Sequence, residues 1–341
     1  DTRGLGSTQR LSVRGLEGKR IGFFIDETPM ADQSDFLDLN DIPIDMIDRI
    51  EIYKGVVPAK FGGSAMGGAV NIVIKEYPDH YADVSYQLES FNTNRFQTVL
   101  KKNDRKHGLV YGIGGGYNYA DNDYVMESPY VKGLKIKRDH DNYRKVLMGG
   151  SIKAHKWWFD EVEIEPVYLR TYHEIQGIET DIRQAHTTSQ GFLCNTKLEK
   201  EDFLIEGLDF DMSTAVAYTM YSTIDTAKTY YDWTGTGYPT PSVYGGEMTA
   251  NRYASNSDNR KFTLLNKLYM EYLINQRNSL IFNSVIQTAD GRPSDDTKIL
   301  SLGKQVDFLQ FRLSAGIVGN QEIGDYQFAA TASPTETPFI Y

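Results

Sequence analysis

From Tyr81 to Glu89 the chain alternates without a break, with Ala82, Val84, Tyr86 and Leu88 on one side and Asp83, Ser85, Gln87 and Glu89 on the other. A period of two marks an extended strand with one apolar and one polar face. The pattern returns at Leu208, Phe210, Met212, Thr214, Val216, Tyr218 and Met220, set against Asp209, Asp211, Ser213, Ala215, Ala217 and Thr219. It returns again at Leu268, Met270, Tyr272 and Ile274, opposed to Lys267, Tyr269 and Glu271, and then at Leu280, Phe282 and Ile286. The run from 208 to 220 is longer than an ordinary globular strand. Strands of that length, apolar on one side and polar on the other, suit a wall between lipid and a hydrated lumen, which makes the fold class mainly β, a transmembrane antiparallel β-barrel.

Connection lengths test this independently, because a bacterial outer-membrane barrel alternates short inner turns with long outer loops. With the first strand leaving the inner side near Tyr81, the outer connections fall at about 90–94, 120–141, 173–189, 221–260 and 289–303. The inner ones fall at about 102–107, 155–156, 199–202 and 275–278. Apart from the first outer loop, long and short alternate, a parity that a soluble sandwich has no reason to obey. About ten strands are counted. Pro166 lies inside one of them and predicts a bulge or local break, since it brings no ladder donor.

Composition agrees with this reading. The 341 residues include 23 Tyr and 16 Phe against 11 Pro, which suits long strands with aromatic girdles at the membrane interfaces; Trp157, Trp158 and Phe159 fall at one inner turn. A mean hydropathy of -0.45 decides nothing, because a barrel wall averages polar. No run approaches the roughly 18 apolar residues of a membrane helix. The single cysteine, Cys194, excludes an internal disulfide and a multi-cysteine zinc site. A net charge of -10 disfavours nucleic acid as a partner.

Upstream of the barrel, Arg49–Lys75 reads RIEIYKGVVPAKFGGSAMGGAVNIVIK: a strand, a glycine-rich turn and a second strand. No G-K-[ST] follows GGSAMGG, so it is not read as a phosphate loop. Here the chain resembles the plug domain of TonB-dependent outer-membrane receptors. The resemblance rests on Gly55, Phe61, Gly62, Gly67, Gly68 and Asn71, on Arg14 and Gly15 within Ser12–Gly15, and on the apolar run Ile21 to Asp26. Glu27 departs from it, standing where the family usually has glycine. Gly319–Tyr326 resembles a later barrel segment of receptors from Bacteroidota, with barrel sequence then expected to be missing between about 303 and 313.

The resemblance implies a small α+β plug in residues 1–75, present in part, and a partial barrel in 76–341, against about 22 strands in plugged transporters. The chain is therefore read as a fragment. It further implies a receptor in the bacterial outer membrane, surrounded by its lipid, that takes up a scarce nutrient. The expected nutrient is an iron-siderophore, haem or cobalamin-type ligand. TonB with ExbB and ExbD would supply energy through a box outside this sequence. The alternatives are a glycan or peptide importer of the SusC-like type, working with a surface lipoprotein, and more remotely a soluble glycan-binding β-protein.

No enzyme is expected, and no cofactor or metal site is assigned. Glu161, Glu163 and Glu165 recur at every second position, which lines one hydrated wall rather than facing two carboxyls across a cleft. With Asp209 and Asp211 they make the lumen acidic, and Arg14 of the plug is a candidate partner for Glu163; Arg10, Arg20, Arg49, Lys54 and Lys60 are others, unless these cations serve the plug's own turns. Six histidines are dispersed. Asp121, Asp123, Asp290, Asp295 and Asp296 lie in outer loops without an EF-hand pattern. For ligand contact the candidates are Tyr230, Tyr231, Trp233, Tyr238 and Tyr244, flat rings with polar handles in the largest outer loop.

Overall fold

In the computed structural model the residues described are 12–13, 16–17, 21–29, 47–54, 61, 68–75, 78–128, 131–155, 157–177, 179–248, 254–275, 278–297, 306–321 and 324–332. The N-terminal part has strands β1 (Ser12–Val13), β2 (Leu16–Glu17), β3 (Gly22–Ile25), β4 (Thr28–Pro29), β5 (Ile47–Tyr53) and β6 (Ala69–Ile74). β1 and β2 pair with each other, and the other four form a sheet in the order β4-β3-β6-β5. β3 and β6 run parallel; the remaining pairs are antiparallel. Residues Ala69 to Ile72 of β6 are all buried, as expected for a central strand covered on both faces. The helical part of the expected α+β plug is not seen among the described residues, which here are strand and turn, with a lone 3-10 residue at Phe61.

Five residues, 75–79, separate β6 from β7 (His80–Glu89). There follow β8 (Thr93–Asp104), β9 (Leu109–Ala120), β10 (Tyr124–Glu127), β11 (Lys135–Arg138), β12 (Tyr143–His155), β13 (Glu161–Glu174) and β14 (His186–Lys200). The chain continues through β15 (Leu208–Asp225), β16 (Thr229–Tyr231), β17 (Gly237–Pro239), β18 (Ser255–Asn275), β19 (Asn278–Asp295), β20 (Val306–Gln321) and β21 (Gly324–Ala332). Eleven of these strands form one antiparallel meander, β21-β20-β19-β18-β15-β14-β13-β12-β9-β8-β7. β10 with β11 and β16 with β17 are hairpins inside the two longest connections.

Alternation places the large apolar residues on one face: Val84, Tyr86, Leu88, Ile113, Met148, Ile152 and Phe192 are 50 to 68% exposed. The opposite face is covered. It carries an apolar cluster of Leu169, Leu193, Ala215, Ala217 and Leu265, so the lumen wall is not polar throughout. Beside that cluster one row crosses five strands as Lys153, Glu163, Lys197, Ser213 and Lys267.

The strands run further than alternation alone marks them, which corrects the expected loops. The outer connections shrink to 175–185, 226–254 and 296–305, because the added strand ends, such as Ser255–Arg260, are polar on both faces and show no period. Two inner turns widen, to 156–160 and 201–207. At Pro166 there is no bulge: β13 keeps its register with β14 through the Pro166–Cys194 pair. The ladder to β12 lapses opposite Gly150 and Ser151 and resumes in the same register, the local break that a missing N–H causes. The Gly319–Tyr326 segment falls on the β20–β21 hairpin, and Val306 to Gly319 pair with β19 in unbroken register, so the sheet shows no gap over 306–313. Residues 303–305 lie outside the described residues.

Candidate functional site

Gly68 opens β6 at φ +127°, and a Cβ there would sit 2.3 Å from the Tyr53 carbonyl oxygen. No other residue fits so close an approach. Phe61 packs between Phe24 and Tyr53, with ring centroids 4.9 Å from each. Asn71 is fully buried. Its Oδ1 accepts the Glu27 N–H at 3.0 Å and its Nδ2 donates to Glu51 Oε2 at 3.0 Å, so one side chain ties the β3–β4 turn to β5. That turn holds Asp26 at φ 44° and Glu27 at φ 65°, a left-handed pair that explains why glycine suits position 27 and that Asn71 sustains here. Arg14, Gly15, Gly55, Gly62 and Gly67 lie outside the described residues.

At the β3–β4 turn the plug meets the wall, β4 lying against β15, and within the plug the same turn is tied to β6. Asp26 Oδ1 accepts the Ile74 N–H at 3.0 Å. Burial pushes the Asp26 carboxyl above its ordinary range, while that hydrogen bond and the charges of Lys153 and Lys197 act against the rise. Two of the luminal carboxylates have a counter-charge on the wall itself, Lys153 Nζ lying 2.9 Å from Glu161 and 3.3 Å from Glu163, and Lys197 Nζ lies 2.6 Å from Glu199. Glu163 also accepts from Ser151 at 3.2 Å. The expected partner Arg14 is not among the described residues, and Arg49 pairs within the plug, with Asp48 and Glu51.

At the long-loop end the connections 175–185 and 226–254 are joined by groups that alternation does not reveal. Glu247 is buried, and its Oε1 accepts the N–H groups of Arg183, Gln184 and Ala185 at 3.2, 2.6 and 2.9 Å. Asp225, also buried, accepts the N–H groups of Glu247 and Met248 at 2.8 and 2.9 Å. His140 adds a third tie, Nε2 to the Ala185 carbonyl at 2.9 Å. Three connections thus behave as one body.

On it stand the aromatic candidates. Tyr230 and Tyr238 stack across the β16–β17 hairpin with centroids 5.3 Å apart. Tyr231 bridges to Asp181 and lies under the Arg183 guanidinium, 3.6 Å from carbon to centroid. Arg183 is also paired with Asp181 at 2.7 Å. Trp233 is half-buried near the hairpin tip and Tyr244 is exposed on the following turn. The five are not convergent on one point: Tyr230 stacks with Tyr238, while Tyr231, on the other face of the hairpin, pairs with Arg183. Glu247 and Arg183 gave no sequence signal, since a lone Glu and a lone Arg in loops carry none.

The other candidates are engaged with protein groups. Asp121 accepts from Tyr119 and Asn92, Asp123 pairs with Lys137 and Asp290 with Arg292. Asp295 accepts from Thr297. His140, His173 and His107 face Glu174, Asp141 and Asp104. No group of three or more metal-ligating side chains occurs among the described residues.

An N-terminal plug sheet joined to a membrane sheet of long, one-sidedly apolar strands is the architecture of TonB-dependent receptors, and residues 1–69 match the family model described as the TonB-dependent Receptor Plug Domain. A curated relative, the ferric enterobactin receptor of Pseudomonas aeruginosa, is 25% identical over 174 residues, which are 44% of this chain and 21% of the relative. Among solved structures, the pyoverdine outer membrane receptor FpvA of P. aeruginosa superposes with a TM-score of 0.62 at 10% identity, over 96% of this chain and 52% of that one. The siderophore receptor PiuA of Acinetobacter baumannii gives 0.55 at 11%, over 95% and 55%. The ferric yersiniabactin uptake receptor FyuA of Yersinia pestis gives 0.53 at 13%, over 94% and 53%. The chain thus spans about half the length of these solved receptors and a smaller share of the curated relative.

Proposed function

We propose that this chain is part of an outer-membrane receptor that imports a ferric siderophore, energised from the inner membrane through TonB with ExbB and ExbD. One observation carries the reading: the sheet that presents an apolar face outward has a plug sheet lying against its other side, β4 beside β15 and Asp26 within the field of Lys153 and Lys197, an arrangement a passive or adhesive barrel does not need. The division is residues 1–75 for the plug and 76–341 for the barrel. The long-loop end faces outside, and the joined connections with Arg183, Tyr230, Tyr231, Tyr238, Trp233 and Tyr244 form the outer binding surface. The motif residues Arg14, Gly15, Gly55, Phe61, Gly62, Gly67, Gly68 and Asn71 shape the plug. Proteins similar to this chain are receptors for ferric enterobactin, pyoverdine and ferric yersiniabactin, which supports a ferric chelate over haem or cobalamin.

The test is uptake of radioactive iron by cells in which the gene for the full-length receptor is deleted and restored, offered one siderophore at a time, with and without the proton gradient. Restoration that depends on both the receptor and the gradient is expected. Uptake of a sugar or peptide in place of every iron chelate would overturn the ligand class.

A further inference from the structure

Inner turns of the same sheet are built in two opposite ways. The turn between β8 and β9 is polar: His107 pairs with Asp104 at 2.7 Å and Arg105 with Asp79 at 2.7 Å. The turns 156–160 and 201–207 instead hold apolar side chains out, with Trp157, Trp158, Leu204 and Ile205 from 54 to 77% exposed.

These turns are fixed by hydrogen bonds. Asp160 accepts the Glu201 N–H at 2.7 Å and pairs with Lys200 at 3.0 Å, and the Asp160 N–H donates to the Glu199 carbonyl at 2.9 Å. Asp202 Oδ1 accepts the Gly207 N–H at 2.6 Å, and the Gly207 carbonyl accepts the Leu273 N–H at 2.8 Å. The turn is therefore braced on both sides, by its neighbour and by β18, and its apolar residues have not collapsed onto the protein. Leu204 is also held at φ 66°, a conformation that disfavours a branched side chain. Neither water nor the backbone favours leucine there, so the position calls for something that does.

Behind the exposed residues the rings of Trp158, Phe203 and Phe210 are in contact, at 5.5 and 4.6 Å. Phe210 lies on the outward, lipid-facing side of β15 by alternation with buried Ser213, Ala215 and Ala217. The patch is thus continuous with the membrane face of the sheet. We propose that this sector of the short-turn rim is immersed in the phospholipid headgroup and acyl boundary, Leu204 and Ile205 inserting beside Trp157 and Trp158, while the β8–β9 turn stays in water. A phospholipid surface fits the chemistry: indole prefers that boundary and aliphatic tips reach the first acyl carbons. The barrel then sits in the bilayer with one side of its rim deeper than the other. The inference rests on the membrane-barrel reading above.

The test uses the full-length receptor in phosphatidylcholine vesicles containing lipids brominated near the headgroup end of the chains. The emission lost on making Trp157→Phe with Trp158→Phe isolates the two indoles. Bromolipid is expected to quench most of it and acrylamide little, whereas a tryptophan introduced by Lys106→Trp in the polar turn should show the reverse. Phe192→Trp, on the outward face, serves as the reference. Quenching of Phe192→Trp by bromolipid with acrylamide alone reaching Trp157 and Trp158 overturns the immersed rim and leaves the barrel standing. Bromolipid failing at all three sites overturns both. Equal response of the rim and the Lys106→Trp site removes the one-sided immersion.

Discussion

The two ends of the sheet use the same device in different surroundings. At the long-loop end Glu247 and Asp225 gather backbone N–H groups while buried; at the short-turn end Asp160 does the same on an exposed surface, within reach of water and polar headgroups. A buried acceptor that is lost leaves its donors without water to replace it, whereas an exposed one is replaced at once. The outer body should therefore be brittle to single changes and the inner rim tolerant of polar ones. Apolar side chains differ the other way: Tyr230, Tyr231 and Tyr238 each have a ring or a cation against them at the long-loop end, whereas Leu204 and Ile205 are held out at the rim.

The largest effect is expected from Glu247→Ala, which strips the acceptor from three consecutive N–H groups and should cost the outer body about 4 kcal/mol. Hydrogen exchange at Arg183, Gln184 and Ala185 should accelerate while the amides of 201–207 stay unchanged; unchanged protection at 183–185 would remove the brittle half of the comparison. Between the two ends lies the membrane face, where Met212→Arg should cost about 2 to 4 kcal/mol and Asp211→Asn much less. Equal losses in barrel folding yield would show that the register is wrong. Third, Gly245 and Gly235 both have positive φ, but a Cβ on Gly245 would lie 2.4 Å from the Thr226 carbonyl oxygen and one on Gly235 meets nothing. Gly245→Ala should lower the resistance of the outer loops to protease by about 2 kcal/mol more than Gly235→Ala, and the reverse order would contradict the packing described.

The smallest effect is a pH response at the rim. The Glu201 N–H first, and Lys200 next, hold the Asp160 carboxyl below its ordinary value of 3.8. A depressed acid stabilises the folded turn above that value and loses the contribution as pH falls through the folded one. Loosening of the Glu201 amide, followed by exchange, should therefore begin only below pH 3.8; loosening nearer neutrality would point to another group.

Strand identity was legible because alternation is a local property: 81–89 and 208–220 show it in sequence and form β7 and β15. The strand ends were not, since Ser255–Arg260 is polar on both faces and only its pairing with β15 and β19 makes it strand. In the plug, Gly68 and Asn71 were readable from the motif, and the geometry supplies their reasons. The aromatic loop was readable as a cluster of rings. Its organisation was not, because Glu247 lies 62 to 64 residues from the amides it holds, and no local pattern encodes so distant a contact. The counter-charges of the lumen were hidden likewise: Lys153, Lys197 and Lys267 align only once the register is set.

The short link between β6 and β7 has a mechanical consequence. Six Cα steps separate Ile74 from His80, so a fully stretched chain keeps them within about 20 Å of each other. β6 is therefore leashed to the first strand of the wall, and no upstream tension can carry it away while the backbone is intact. The sheet order β4-β3-β6-β5 puts β4 at a margin, with β3 between it and the leashed strand. Under upstream tension β4 and β3 can part from β6 while β6 stays beside the wall, as a hinged door swings from a fixed post.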